Sequence, residues 1–212
     1  MKLIIKNNKK YSAFTLAEVL ITLLVIGVVS SLVIPALIND SKDAEFEVAY
    51  KKAFADATNV TKQALANSEL TSKITAVEAD VTLANWNVFK SYFSVSKDCQ
   101  NNNNSSCWDH AGEKININDR PRESENAFVD NAGRAWSEYG YNENIILVDT
   151  NGFKAPNRYG KDRWTFTQAD QNNVRISSGL PTKVLPFYNI DITTTHAWCH
   201  YPPCYFKSWL FQ

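Results

Sequence analysis

The chain has 212 residues, with 22 basic and 22 acidic side chains, so its formal charge is zero; 12% of its residues are aromatic. That aromatic content argues for a packed domain and against disorder. Residues 1–13 hold Lys2, Lys6, Lys9 and Lys10 and no acid, so the remainder sets 18 basic residues against 22 acidic ones and carries −4. Nothing in that balance suggests a general nucleic-acid footprint.

The first predicted element is an apolar helix. Residues 13–38 read AFTLAEVLITLLVIGVVSSLVIPALI, with Glu18 as the one charged side chain. The run from Val19 to Ile38 is long enough to cross a bilayer, which takes about 20 apolar residues. The lysines before it fit the positive-inside rule, with the N-terminus cytoplasmic and the rest translocated. An acid near the centre of such a segment costs on the order of 2.5–3.5 kcal/mol, so Glu18 at its edge asks for a partner or a purpose. A secretory signal has a shorter apolar core, of about 7–15 residues, and ends in a small-residue cleavage site. This run is longer and has no such end. A plain signal anchor explains the lysines and the apolar run but leaves Glu18 unexplained.

The pattern Ala13-Phe14-Thr15-Leu16-Ala17-Glu18 resembles the leader junction of type IV pilins and type II secretion pseudopilins. The resemblance implies that prepilin peptidase cuts between Ala13 and Phe14, that the new Phe14 amine is N-methylated, and that Glu18 is the family's fifth-position glutamate. Pro35 falls where many members have a helix-kinking proline. Ala13 departs from the family's usual glycine before the cut. Physics agrees with the resemblance. A newly cut helix begins with a positive amine and four unsatisfied N–H groups, which favour a nearby anion. Glu18 can meet that end in its own helix or in a neighbouring subunit, and the resemblance implies that this pairing sets the axial register of an incoming subunit.

After Ile38 the pattern turns amphipathic. Phe46, Ala49, Tyr50, Ala53, Phe54, Ala57, Val60, Ala64 and Leu65 recur at three- and four-residue spacing, which predicts one helix from about Phe14 to about Ala66. Gly27 and Pro35 are its weak points. They read either as a membrane-helix kink or as a place of local melting when a subunit leaves the bilayer. Residues 67–95 read as a loop and a second helix around Val88, Phe89, Tyr92 and Phe93. Residues 101–106 read as a polar loop.

Strands follow. Phe128-Val129 and Ala135-Trp136 flank Asp130-Asn131-Ala132-Gly133, a hairpin signal. Ile145 to Asp149 reads as a buried strand and Arg163 to Thr167 as an alternating one; Val174 to Ile176 and Val184 to Ile192 are two further candidates. The sum is an α+β fold, a long N-terminal helix packed on an antiparallel sheet, which is also the pilin layout that the leader implies. The organisation expected is a removed leader over 1–13, a transmembrane and filament-core helix over 14–41, and an extracytoplasmic globular domain over 42–212.

Four cysteines, Cys99, Cys107, Cys199 and Cys204, lie beyond the apolar run. An even count on the translocated side points to two disulfides. Three pairings are open; closeness in sequence favours Cys99–Cys107 and Cys199–Cys204. His196 and His200 beside the second pair also admit a zinc reading, against a disulfide-closed turn around Pro202-Pro203. Val148-Asp149-Thr150-Asn151-Gly152 followed by Pro156-Asn157, Gly160 and Asp162 resembles a recurrent segment of pilin-like proteins. It reads either as an Asx-Gly turn whose aspartates cap backbone amides or as a calcium loop with Asp149, Asn151 and Asp162 as ligands. Lys154, Arg158, Lys161 and Arg163 crowd the same loop and oppose a dication.

No nucleophile triad, phosphate loop or paired-acid motif stands out, so the expected role is structural, not enzymatic. The resemblance implies a subunit of a type IV pilus or secretion pseudopilus. Its implied partners are copies of itself or related subunits, prepilin peptidase, a membrane platform protein and an assembly ATPase, with no nucleic acid. It implies a single-pass cytoplasmic-membrane protein that becomes a surface or periplasmic filament. Two other readings stay open: a minor pilin binding DNA or a surface at a filament tip, and a membrane-anchored domain that never polymerises.

Overall fold

The computed structural model describes residues 14–70, 78–99, 106–109, 111–112, 126–139, 145–172 and 180–211. Residues 1–13, with Ala13, lie outside these, as do the expected strand at 174–176 and most of the polar loop after Cys99. The chain divides into two compact units, Met1–Lys42 and Asp43–Gln212.

In the first unit the described residues are the start of helix α1, Leu16–Ala66. Its apolar side chains are exposed all round; Leu24 is 68% and Leu32 72% accessible. The helix is long and apolar enough to cross a membrane, with a mean hydropathy of 2.6 over its most apolar window. It runs through Pro35 without a break. Proline lacks the N–H that would bond to the carbonyl four residues earlier, so the carbonyl of Ser31 loses its helical donor. The hydroxyls of Thr22 and Ser31 are used locally, donating to Val19 O at 2.9 Å and Val28 O at 2.8 Å.

In the second unit the same helix shows a single stripe. Tyr50, Ala53, Ala57, Val60 and Ala64 are buried at spacings of three and four residues. The alanines bring the helix backbone close to its neighbours, and Tyr50 stacks on Trp164 with ring centroids 3.8 Å apart. The helix ends without glycine. Ser68 takes the left-handed conformation, φ 58°, and the Glu69 N–H returns to Ala64 O at 3.0 Å.

A second helix, α2, spans Glu78–Ser91. Trp86 and Phe89 are buried from it and meet Phe128 and Trp136. Six strands follow in a sheet whose order is the chain order: β1 Val95–Cys99, β2 Ala127–Asp130, β3 Ala135–Tyr139, β4 Ile145–Asp149, β5 Arg163–Ala169 and β6 Lys183–Pro186. Each neighbour pairs antiparallel. Phe128, Trp136, Val148 and Trp164 stand opposite one another across four strands. Since residues directly opposite share a face, this row is the apolar face that meets Tyr50 and Phe89.

Two expectations are corrected. The segment from Val95 to Cys99 is the edge strand β1, where the sequence reading had only a loop and a helix up to residue 95. Val95 to Asp98 are exposed, and Val-Ser-Lys-Asp carries no burial alternation for a reader to find. The strand expected over Val184 to Ile192 is confined to Lys183–Pro186. Pro186 has no N–H to extend the ladder, and Ile192 instead forms an isolated bridge with Cys204.

The cysteines are joined as Cys99–Cys107 and Cys199–Cys204. The C-terminal aromatics divide. Trp198, Phe206 and Trp209 are buried, whereas Tyr201 and Phe211 are exposed.

Candidate functional site

Two places gather the residues singled out by the sequence. The first is the start of α1. Thr15 precedes the helix and Glu18 sits in its first turn. The Glu18 N–H donates to Thr15 Oγ1 at 3.2 Å, while Glu18 Oε2 accepts from the Thr15 N–H at 2.8 Å and from Thr15 Oγ1 at 2.9 Å. This is a reciprocal capping box, in which a hydroxyl and a carboxylate three residues apart satisfy donors that the helix leaves open. Phe14 stands just before it, 86% exposed. The carboxylate therefore has a ligand in its own chain, one residue from the atom that processing at Ala13–Phe14 would turn into an amine. The reading of the sequence placed Glu18 here and missed Thr15. The Thr-x-x-Glu spacing was the signal for it.

The second place is the end of the sheet where β4 passes into β5. Asp149 and Arg163 are direct cross-strand partners, buried to 1% and 0% exposure. Arg163 Nε donates to Asp149 Oδ2 at 2.9 Å, and its Nη2 donates to the Asp109 main-chain oxygen at 2.6 Å. The guanidinium lies 4.7 Å from the centre of the Trp108 ring. Asp162 is fully buried and accepts from the N–H groups of Asn157 at 2.8 Å and Arg158 at 2.7 Å. The Asn151 N–H donates to Asp149 Oδ1 at 3.3 Å. Burial first, then the neighbouring Asp162 carboxylate, pushes Asp149 up to about 7 against the pull of Arg163. Burial also raises Asp162, while the amides it accepts pull it down.

Glycines close the same region. Gly152 has φ +69°, and a Cβ there would meet Gly133 O at 2.7 Å, locking the β4–β5 connection against the β2–β3 turn. At Gly160, with φ +77°, a Cβ would overlap Cys204 Sγ, so the Cys199–Cys204 loop packs directly on this connection. Of the other cations in the loop, Lys161 pairs with Asp43 at 2.6 Å and Arg158 covers the Tyr201 ring at 4.0 Å.

The structure thus brings Asp149, Asn151 and Asp162 into one turn; the carboxylate oxygens of Asp149 and Asp162 face internal donors, while Asn151 Oδ1 is buried without a hydrogen-bond partner. Calcium takes six to eight oxygen ligands, and among the described residues no group of three or more acidic, histidine or cysteine side chains is set to hold a metal. Asn157 and Asp109 are residues to which the sequence assigns no role in this turn, and Arg163, expected only as one of four cations opposing a dication, is bonded to Asp149 and to the Asp109 main-chain oxygen. Asp109 lies 40 positions upstream of Asp149 in sequence, so no local spacing could have found it. At the C-terminal cluster both thiols are committed to the disulfide, and His196 Nδ1 accepts from the Trp198 N–H at 3.2 Å.

Residues 8–34 match a family model described as the prokaryotic N-terminal methylation motif. The matched stretch contains Ala13, Phe14, Thr15 and Glu18 and continues into the apolar part of α1. Searches of curated proteins and of solved structures gave no match.

Proposed function

We infer that a chain carrying this methylation motif, the motif of type IV pilins and pseudopilins, is a prepilin-like structural subunit processed by prepilin peptidase. The finer reading is that the peptidase cuts between Ala13 and Phe14 and that the Phe14 amine is methylated. The mature subunit waits in the cytoplasmic membrane through the apolar half of α1, with its N-terminus cytoplasmic and residues from about 42 onward across the bilayer. A membrane platform protein and an assembly ATPase then drive it into a type IV pilus or secretion pseudopilus. There the helices bundle, with Gly27 and Pro35 as points of local melting, and Glu18 pairs with the Phe14 amine of a neighbouring subunit. The domain carrying the two disulfides faces outward.

The observation that carries this reading is the motif itself. It runs unbroken into a helix whose apolar side chains are exposed on every side. Such a surface needs either lipid or other helices around it. The test is the intact mass of the protein purified from cells with an active prepilin peptidase. Loss of residues 1–13 and gain of one methyl group on Phe14 is the expected result. A chain that still begins at Met1 in those cells leaves only an anchored domain.

A further inference from the structure

We propose that Arg163 is a tethered cation that stands where a divalent metal would otherwise be needed, so that the β4–β5 connection closes without calcium. It is independent of filament assembly and rests on the partners of the carboxylate oxygens; the amide oxygens of Asn151 and Asn157 beside them are buried without a partner, but two neutral oxygens fall well short of the six to eight that calcium takes. Three carboxylates from three segments meet here: Asp109, Asp149 and Asp162. Asp109 Oδ1 accepts from the Ala111 N–H at 2.8 Å and Oδ2 from Asn157 Nδ2 at 2.7 Å. Asp149 accepts from Asn151 N and Arg163 Nε, and Asp162 from Arg158 N and Asn157 N. Every carboxylate oxygen of the three therefore has a donor inside the protein.

A calcium ion drawing on them would compete with the two backbone amides that Asp162 already holds, one on each oxygen. It would also have to sit beside a guanidinium that is permanently charged. That guanidinium cannot swing away. It is fixed by Asp149, by the Asp109 carbonyl and by the Trp108 ring. Gly112 shows how little space remains, since a Cβ there would meet Asn157 Cβ at 2.6 Å and Arg163 Nη1 at 2.8 Å. In effect Arg163 staples Trp108 and Asp109, which follow the Cys99–Cys107 disulfide, to the end of the sheet. An arginine suits this role because its planar fork serves two acceptors at once while its face covers a ring.

The test compares thermal unfolding of the full-length chain in detergent at pH 8, above the raised value of Asp149, followed by tryptophan fluorescence, in excess EDTA and in millimolar calcium. The wild-type midpoints are expected to coincide. Arg163→Met is expected to lower the midpoint in EDTA by roughly 10 °C, as loss of one partner from a buried ion pair does in a domain of this size. Calcium is then expected to restore part of the loss, because the three carboxylates are left without their cation. If Arg163→Met cannot be obtained folded, Arg163→Lys is measured instead, and it is expected to be destabilised but insensitive to calcium. A calcium-dependent rise in the wild type or in Arg163→Lys overturns the proposal, as does an Arg163→Met protein that folds and ignores calcium.

Discussion

Thr15 and Glu18 show how much one pair of side chains decides. The hydroxyl and the carboxylate close on each other at the helix start, so the Glu18 charge is held by its own chain before any neighbour arrives. Removing a capping hydroxyl costs about 1 kcal/mol of helix-end stability. Thr15→Ala is therefore expected to speed amide exchange over the first turn of α1 in detergent by about fivefold, whereas Thr15→Ser keeps the hydroxyl and the protection. Equal exchange in Thr15→Ala and the wild type would mean that the carboxylate is held by something other than Thr15. Tyr50 is a second deciding residue, farther along the same helix. Its ring stacks on Trp164, and its hydroxyl donates to Phe206 O at 2.7 Å. Tyr50→Phe keeps the stack and leaves a buried carbonyl short of a donor, a loss of about 1–2 kcal/mol. The unfolding midpoint is expected to fall by a few degrees; no change would mean that Phe206 O finds another donor.

Elements were legible in proportion to how strongly burial writes a period into them. The stripe of Tyr50, Ala53, Ala57, Val60 and Ala64 told of a helix on a sheet, and Ile145 to Asp149 told of a buried strand, because in each the core selects apolar side chains at a fixed spacing. The edge strand β1 was not legible, since edge residues face water and escape that selection. The β4–β5 connection was legible only in part. Its Asp-x-Asn-Gly and Pro-Asn-x-x-Gly-x-Asp residues announced a turn, but the partner that decides its chemistry, Asp109, comes from a distant segment. This connection carries a pH dependence whose sign follows from Asp149. Burial and the Asp162 charge raise its folded value to about 7 from an unfolded value near 3.8. Between those values the folded state holds a proton that the unfolded state has released. The resulting stabilisation is present in full below about pH 4 and is lost as the pH rises through about 7. Asp162 shifts in the same direction. The unfolding midpoint is expected to fall between about pH 5 and about pH 8, and Asp149→Asn is expected to flatten that slope. A midpoint that rises over this range would reverse the assignment.

At the scale of the whole molecule the proposed function asks the same chain to serve two solvents. The apolar part of α1 suits lipid or a bundle of like helices, while the unit from Asp43 onward carries its own aromatic core and its own disulfides. Membrane residence and polymer entry should therefore separate by mutation. On the proposed function insertion depends on Val19 to Ile38, which Glu18 substitutions leave intact, so Glu18→Ala is expected to be translocated and to fractionate with the membrane as the wild type does. Entry into a filament needs more than apolar contact, because one greasy helix slides along another with little preference for position. On the proposed function a carboxylate that leaves Thr15 for the Phe14 amine of a neighbour would give a single preferred offset, and its loss would leave that amine uncompensated among apolar side chains. Glu18→Ala is thus expected to be absent from the sheared filament fraction. Glu18→Gln separates charge from shape, since it can still reach back to Thr15 but cannot neutralise an amine. It is expected to fail as Glu18→Ala does. If Glu18→Gln assembles normally, hydrogen bonding to Thr15 sets the register and the amine does not. If Glu18→Ala also assembles, the offset between subunits is set elsewhere, in the unit beyond Asp43.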